Sequence, residues 1–153
     1  MSLLLWLAAN SSYQVADQPP PELLLLTPAA LTAQVRERGG IVAGPDEPEV
    51  DRRLNGMFVP ADGPRGTIYL VRPEDTPRAA QYPVPSDNPV FRERLLHELV
   101  HFAQHASGEA ATFRCPSQGE PAAYRLGSYY LRQLGVDDPM RNRRAVAFMQ
   151  TLC

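Results

Sequence analysis

Two histidines four residues apart with a glutamate directly after the first, His97-Glu98-Leu99-Val100-His101, are residue types suited to holding a metal ion. An α-helix advances about 100° per residue, so positions four apart are offset by about 40° and project from one face. Two imidazoles so placed can grip one cation. Glu98, on the flank of that face, can reach a water that the cation activates. The bland alternative is a solvated helix face with incidental histidines. Against it, the 3 histidines of the chain, His97, His101 and His105, all fall between positions 97 and 105.

A catalytic zinc site commonly takes three protein ligands and keeps one position open. Glu120 is the expected third ligand. Residues 102–119 leave room for the first helix to end, the chain to turn and a second helix to return a carboxylate. A carboxylate oxygen also suits zinc beside two imidazoles. The competing role for Glu120 is helix capping, since Ser117-Gln118-Gly119-Glu120 fits a capping box. The competing ligands are His105 and Glu109. His105 lies a further turn along the same face, where three histidines on one straight helix converge poorly on one ion, so it is read as a rim or substrate-contacting residue. Glu109 is read as solvated. Zinc, one Zn2+ per chain, is the expected cofactor.

The elements that must position these residues can be read from punctuation and periodicity. Helices are expected at Ser2 to Asn10, from Pro28 to about Arg38 behind a Thr27 cap, from Pro89 to Gly108 behind Asp87 or Asn88, from Glu120 to Leu134, and from Pro139 to near Leu152 behind Asp138. On the metal helix, Leu95, Leu99, Phe102 and Ala106 are expected to face the core, leaving the histidine face open. Glu22 to Leu26 reads as a buried strand. Leu54 to Val59 and Thr67 to Arg72 read as a β-hairpin closed by the turn-rich run Pro60–Gly66. Gly44 to Glu49 and Pro73 to Asn88 are proline-bearing loops. The sum is a single α+β domain over residues 1–153, with a short sheet and a helical second half.

Composition excludes some partners. With 44% hydrophobic and 21% charged residues, the chain is ordinary globular material, not disordered. A net charge of −2 supplies no field that would recruit nucleic acid. Leu3 to Ala9 is the most apolar run and is far short of the roughly 20 residues of a membrane span. It also lacks the basic start and cleavage site of a signal peptide. Cys115 and Cys153, the only cysteines, are read as one disulfide rather than two buried thiols. That favours a secreted or periplasmic location over a cytoplasmic one.

His97-Glu98-x-x-His101 followed by Glu120 resembles the gluzincin zinc metallopeptidases, whose thermolysin-like and aminopeptidase N-like members use similar spacing. "LLHELVHFAQH" followed by "GEPAAYRLG" further resembles small bacterial domains of unknown function with HExxH and a downstream E-x-x-A-Y. "LLLWLAANSSY" and "GTIYLV" extend that likeness upstream. The resemblance implies a zincin-like fold with His97, His101 and Glu120 as ligands and Glu98 as general base. It also implies that the Thr67–Arg72 strand lies along the cleft and pairs with an extended peptide. Thermolysin-like enzymes carry an aspartate four residues after the ligand glutamate. Here that position is Tyr124, which implies a different support for the metal histidines.

The expected activity is hydrolysis of peptide bonds by a water that zinc and Glu98 activate, with Tyr124, on the Glu120 helix face, as candidate oxyanion donor and core packing as its plainer role. Two alternatives stand beside this: an intracellular regulatory protease with one dedicated partner, and a zinc-stabilised binding module without turnover. With no second lobe to wall it off, the cleft is expected to be shallow.

Overall fold

Helix α3 (Pro89–Ala106) is the axis on which the molecule is organised. In this computed structural model, which describes residues 2–40, 50–140, 142–150 and 152, the elements before it are α1 (Leu3–Asn10), β1 (Glu22–Leu26), α2 (Pro28–Glu37), β2 (Gly56–Val59) and β3 (Thr67–Val71). After it come α4 (Glu120–Gln133) and α5 (Arg143–Gln150). The fold is α+β, as the order of apolar runs implies. Among the described residues no helix is long and apolar enough to cross a membrane.

The three strands pair in the order β1-β3-β2, β1 parallel and β2 antiparallel to β3. The expected hairpin is therefore β2–β3. Successive side chains alternate between sheet faces. Ile68 and Leu70 of β3 thus enter one core with Leu96, Leu99, Val100 and Phe102 of α3. Tyr69 points the other way, where Arg38, just past α2, lies over its ring. Two expectations fail here. Glu22–Leu26 is a strand but not a buried one: Leu23, Leu24 and Leu25 stay about 40% exposed, because β1 is an edge of the sheet and α3 packs mainly on β2 and β3. And β3 is the central strand, hydrogen-bonded on both sides, so Thr67–Arg72 has no free edge to offer a peptide. The strand bordering the cleft is β2.

The start of α3 is fixed by Asn88, not Asp87. The Asn88 side-chain oxygen accepts from the Val90 N–H at 3.0 Å, and its amide donates to the Pro77 carbonyl at 2.8 Å. The loop from Pro73 to Asn88 thereby anchors the start of α3. It folds into three short 3-10 turns, and none of its residues lines the cleft described below. Asn88 is fully buried, and an N-cap lost to alanine costs about 1–2 kcal/mol. Asn88→Ala is expected to lower the free energy of unfolding by that amount, seen as a lower denaturant midpoint with unchanged slope. An unchanged midpoint would show the cap to be idle. Gly108, in the left-handed region at φ 79°, ends the helix, as expected.

Burial along α3 departs from the two-faced expectation. Leu95 is only half-buried and Ala106 is exposed, while Leu96, Val100 and Ala103 are buried. The helix is enclosed by α1, α4, β2 and β3, so core contacts surround most of it and the histidine side is half-buried rather than open.

The last helix also begins later than expected. Asp138 does not cap a helix at Pro139. One of its oxygens accepts the Met140 N–H in a turn, and both oxygens engage Arg143, where α5 starts. Arg143 also forms a buried ion pair with Glu93 of α3. Gly127 of α4 makes room for it, since a Cβ there would collide with the Glu93 carboxylate. Gly44 to Glu49 and Cys153 lie outside the described residues. Cys115 is disulfide-bonded.

Candidate metal centre

His97 and His101 reach the same point from successive turns of α3, with Nε2 atoms 3.2 Å apart. Glu120, the first residue of α4, brings one carboxylate oxygen to 3.1 Å from His97 Nε2 and the other to 3.3 Å from His101 Nε2. Among the described residues this is the one group of three or more His, Cys, Asp or Glu side chains so gathered. Zinc bonds of about 2.0–2.2 Å in a tetrahedron give ligand-to-ligand edges of about 3.3–3.6 Å. The three donor atoms therefore fit a zinc-sized cation. Glu120 does not act as a helix cap: α4 has no side-chain cap, and Ser117 belongs to a separate 3-10 turn over Pro116–Gly119.

The competitors sit elsewhere. His105 lines the same groove beyond His101, with its ring 6.1 Å from that of Phe58. Glu109 is exposed to solvent, as expected, and accepts a 2.6 Å hydrogen bond from the Tyr13 hydroxyl away from the cluster. Burial, aided by that bond, pushes the Tyr13 phenol up to about 12.

The ligands are held by neighbours that the motif does not name. Gln104 is buried and bridges two elements. Its amide donates to the Gly119 carbonyl at 2.9 Å, which turns its oxygen towards His101 Nδ1, also at 2.9 Å. That oxygen can only accept, so His101 carries a proton on Nδ1, which leaves Nε2 as the atom that could bind a metal. A Cβ at Gly119 would come within 2.6 Å of the Gln104 oxygen, so the residue before Glu120 must be glycine for this bridge to close. His97 is braced differently, by the Tyr124 ring at 4.9 Å, and the Arg143 guanidinium lies 5.6 Å from the centre of the same Tyr124 ring. Tyr124, four residues after Glu120, thus supports His97 by packing. Losing a residue that orients a ligand typically costs 10–100-fold in metal affinity. Gln104→Ala is expected to weaken zinc binding by about that factor, read by competition with a chelating dye. Unaltered affinity would mean that the bridge is decorative.

Glu98 is buried and faces β2. A Cβ at Gly56 would sit 2.9 Å from a Glu98 oxygen and 2.8 Å from Leu70. Gly56 is therefore what lets the strand pass directly over the glutamate, a role that spacing alone does not announce. Burial raises the Glu98 pKa, against the pull of His97 and His101. At His101 burial opposes the charge, but bonding to Glu120 and the nearby carboxylates prevail and raise it to about 9. Burial likewise works against ionised Glu120, and its bonds to both histidines bring it down to about 2.

These side chains line a groove of about 1050 Å³, which runs along α3 between β2 on one side and the Glu120 and Arg143 segments on the other. That is the upper end of the usual range for ligand sites, larger than the shallow cleft expected from chain length. Comparison with curated proteins gave no match, and comparison with solved structures gave none either. The family model described as "Domain of unknown function (DUF6647)" matches residues 1–153, and the chain belongs to that family.

Proposed function

We propose that this protein is a zinc-dependent peptide hydrolase of gluzincin type. The observation that carries the proposal is the convergence of His97, His101 and Glu120 at tetrahedral ligand spacing, with the buried Glu98 beside them in the groove wall. His97, His101 and Glu120 would hold the zinc, and the ion, when bound, supplies Lewis-acid polarisation of the scissile carbonyl and lowers the pKa of a water to about 7.

The remaining steps belong to the chain. Glu98 takes a proton from the attacking water and passes it to the leaving amine. Its raised pKa suits a group that must accept and then release a proton. Tyr124, braced against His97 in the groove wall, is the candidate donor to the developing oxyanion. The outer edge of β2 offers backbone N–H and C=O groups to an extended peptide, in the manner of strand addition. His105 and Phe58 contact substrate further along. Three protein ligands with a buried base alongside argue for turnover over a zinc-stabilised binding module, which has no use for Glu98.

The test is direct. The purified protein should carry about one zinc per chain and cleave members of a broad peptide library. A chelator should stop cleavage and added zinc restore it. Cleavage that persists after the metal is stripped would exclude the mechanism.

A further inference from the structure

The groove wall holds a charge that the proposed hydrolysis does not use. Arg94 lies on α3 ahead of His97 and lines the groove. Spacings of four and seven residues return to within about 40° and 20° of the same direction, so Arg94 shares a stripe with Glu98 and His101. Among the described residues, no acceptor makes a hydrogen bond or ion pair with its guanidinium. Glu93 acts on it only through space. Adjacent residues on a helix do not face each other, and the Glu93 carboxylate is engaged by Arg143.

The other cations of the groove are accounted for. Arg53 pairs with Asp51, and Arg143 pairs with Glu93 and Asp138. Arg114 is exposed at the rim. Arg94 is half-buried, and burial lowers its pKa. A partly desolvated cation without a partner is costly, and a guanidinium matches a carboxylate two bonds at a time. Arg94 precedes the midpoint of the ligand pair by about five residues, or about 7–8 Å of helix axis. Two extended peptide residues cover about that distance.

We propose that Arg94 is the specificity residue of this groove. It binds a substrate carboxylate about two residues from the scissile bond, so the preferred substrates are peptides with an anionic group there. The carboxylate belongs either to an acidic side chain or to the peptide's own C-terminus. This rests on the peptide-hydrolase reading.

The test uses zinc-loaded Glu98→Gln protein, which holds substrate without cutting it, and fluorescein-labelled alanine–leucine octapeptides. One arm compares free-acid with amidated C-termini. The other scans a single glutamate, against glutamine, through amidated peptides. Binding by anisotropy is expected to be about 10–100-fold tighter for one carboxylate-bearing set, and the arm that shows it identifies the carboxylate. Adding Arg94→Met should erase the difference, and Arg94→Lys should keep part of it, both with unchanged melting temperature. Equal binding of all peptides, no binding of any, or a preference that survives Arg94→Met overturns the proposal. A carboxylate preference in a protein whose wild type cleaves nothing would refute the hydrolase reading alone. Cleavage by the wild type without the preference would refute this one alone.

Discussion

Alanine at His97, His101 or Glu120 is expected to strip zinc from the protein. Zinc held by four ligands in small domains is worth about 10–16 kcal/mol. An even share is about 3–4 kcal/mol per ligand, so each variant should lose about 10²- to 10³-fold in affinity. Glu120→Ala should behave like the histidine variants, because both of its oxygens face the two Nε2 atoms at 3.1 and 3.3 Å. His105→Ala and Glu109→Ala should keep full occupancy, since His105 packs by Phe58 and Glu109 bonds Tyr13. Elemental analysis after extensive dialysis reads the result. Full zinc in both the His97 and His101 variants would sink the site. Loss in His105→Ala but not in Glu120→Ala would mean that the third ligand is misassigned.

What the sequence made legible follows the range of the interactions involved. His97, Glu98 and His101 sit within one helical turn and a half, so local geometry alone brings them together. Glu120 could be reached by counting the chain needed for a turn and a return. Caps at Thr27 and Asn88 and the stop at Gly108 are also local chemistry. The misses are non-local. The exposure of Leu23–Leu25 depends on which strand is central, and a five-residue apolar run reads alike at the edge or the middle of a sheet. Burial on α3 depends on how many neighbours surround it, which its own periodicity does not record. Gly56, Gly119 and Gly127 matter because of what passes within contact distance of their missing Cβ, and those partners lie far away in sequence. Gln104 carries one hint: it stands three residues after His101, within reach of that ring on a helix.

The supporting residues also explain why the loop into α4 is built as it is. A ligand that begins a helix is placed by whatever fixes that helix start. Here no side chain caps α4. The Gln104 bond to the Gly119 carbonyl instead ties the residue before Glu120 to the helix that carries both histidines. His97, His101 and Glu120 are therefore set on one connected support.

Glutamine at position 98 is expected to leave the fold and the zinc in place while removing hydrolysis by a factor on the order of 10² or more. Glutamine has the volume of glutamate, so it can occupy the space that Gly56 leaves open under β2. Zinc content should be unaffected because Glu98 is not among the three converging ligands. What changes is proton affinity. A carboxylate in this buried position has a raised pKa and can take a proton from water, whereas an amide cannot at neutral pH. The loss should therefore appear in kcat with zinc stoichiometry and melting temperature held constant. A variant that loses zinc or unfolds would instead show Glu98 to be structural. The sharper adverse outcome lies in the wild type. If it cuts nothing across a broad library, yet binds a protein partner equally well with glutamate or glutamine at 98, the base has no task, and the metal cluster serves recognition or stability instead.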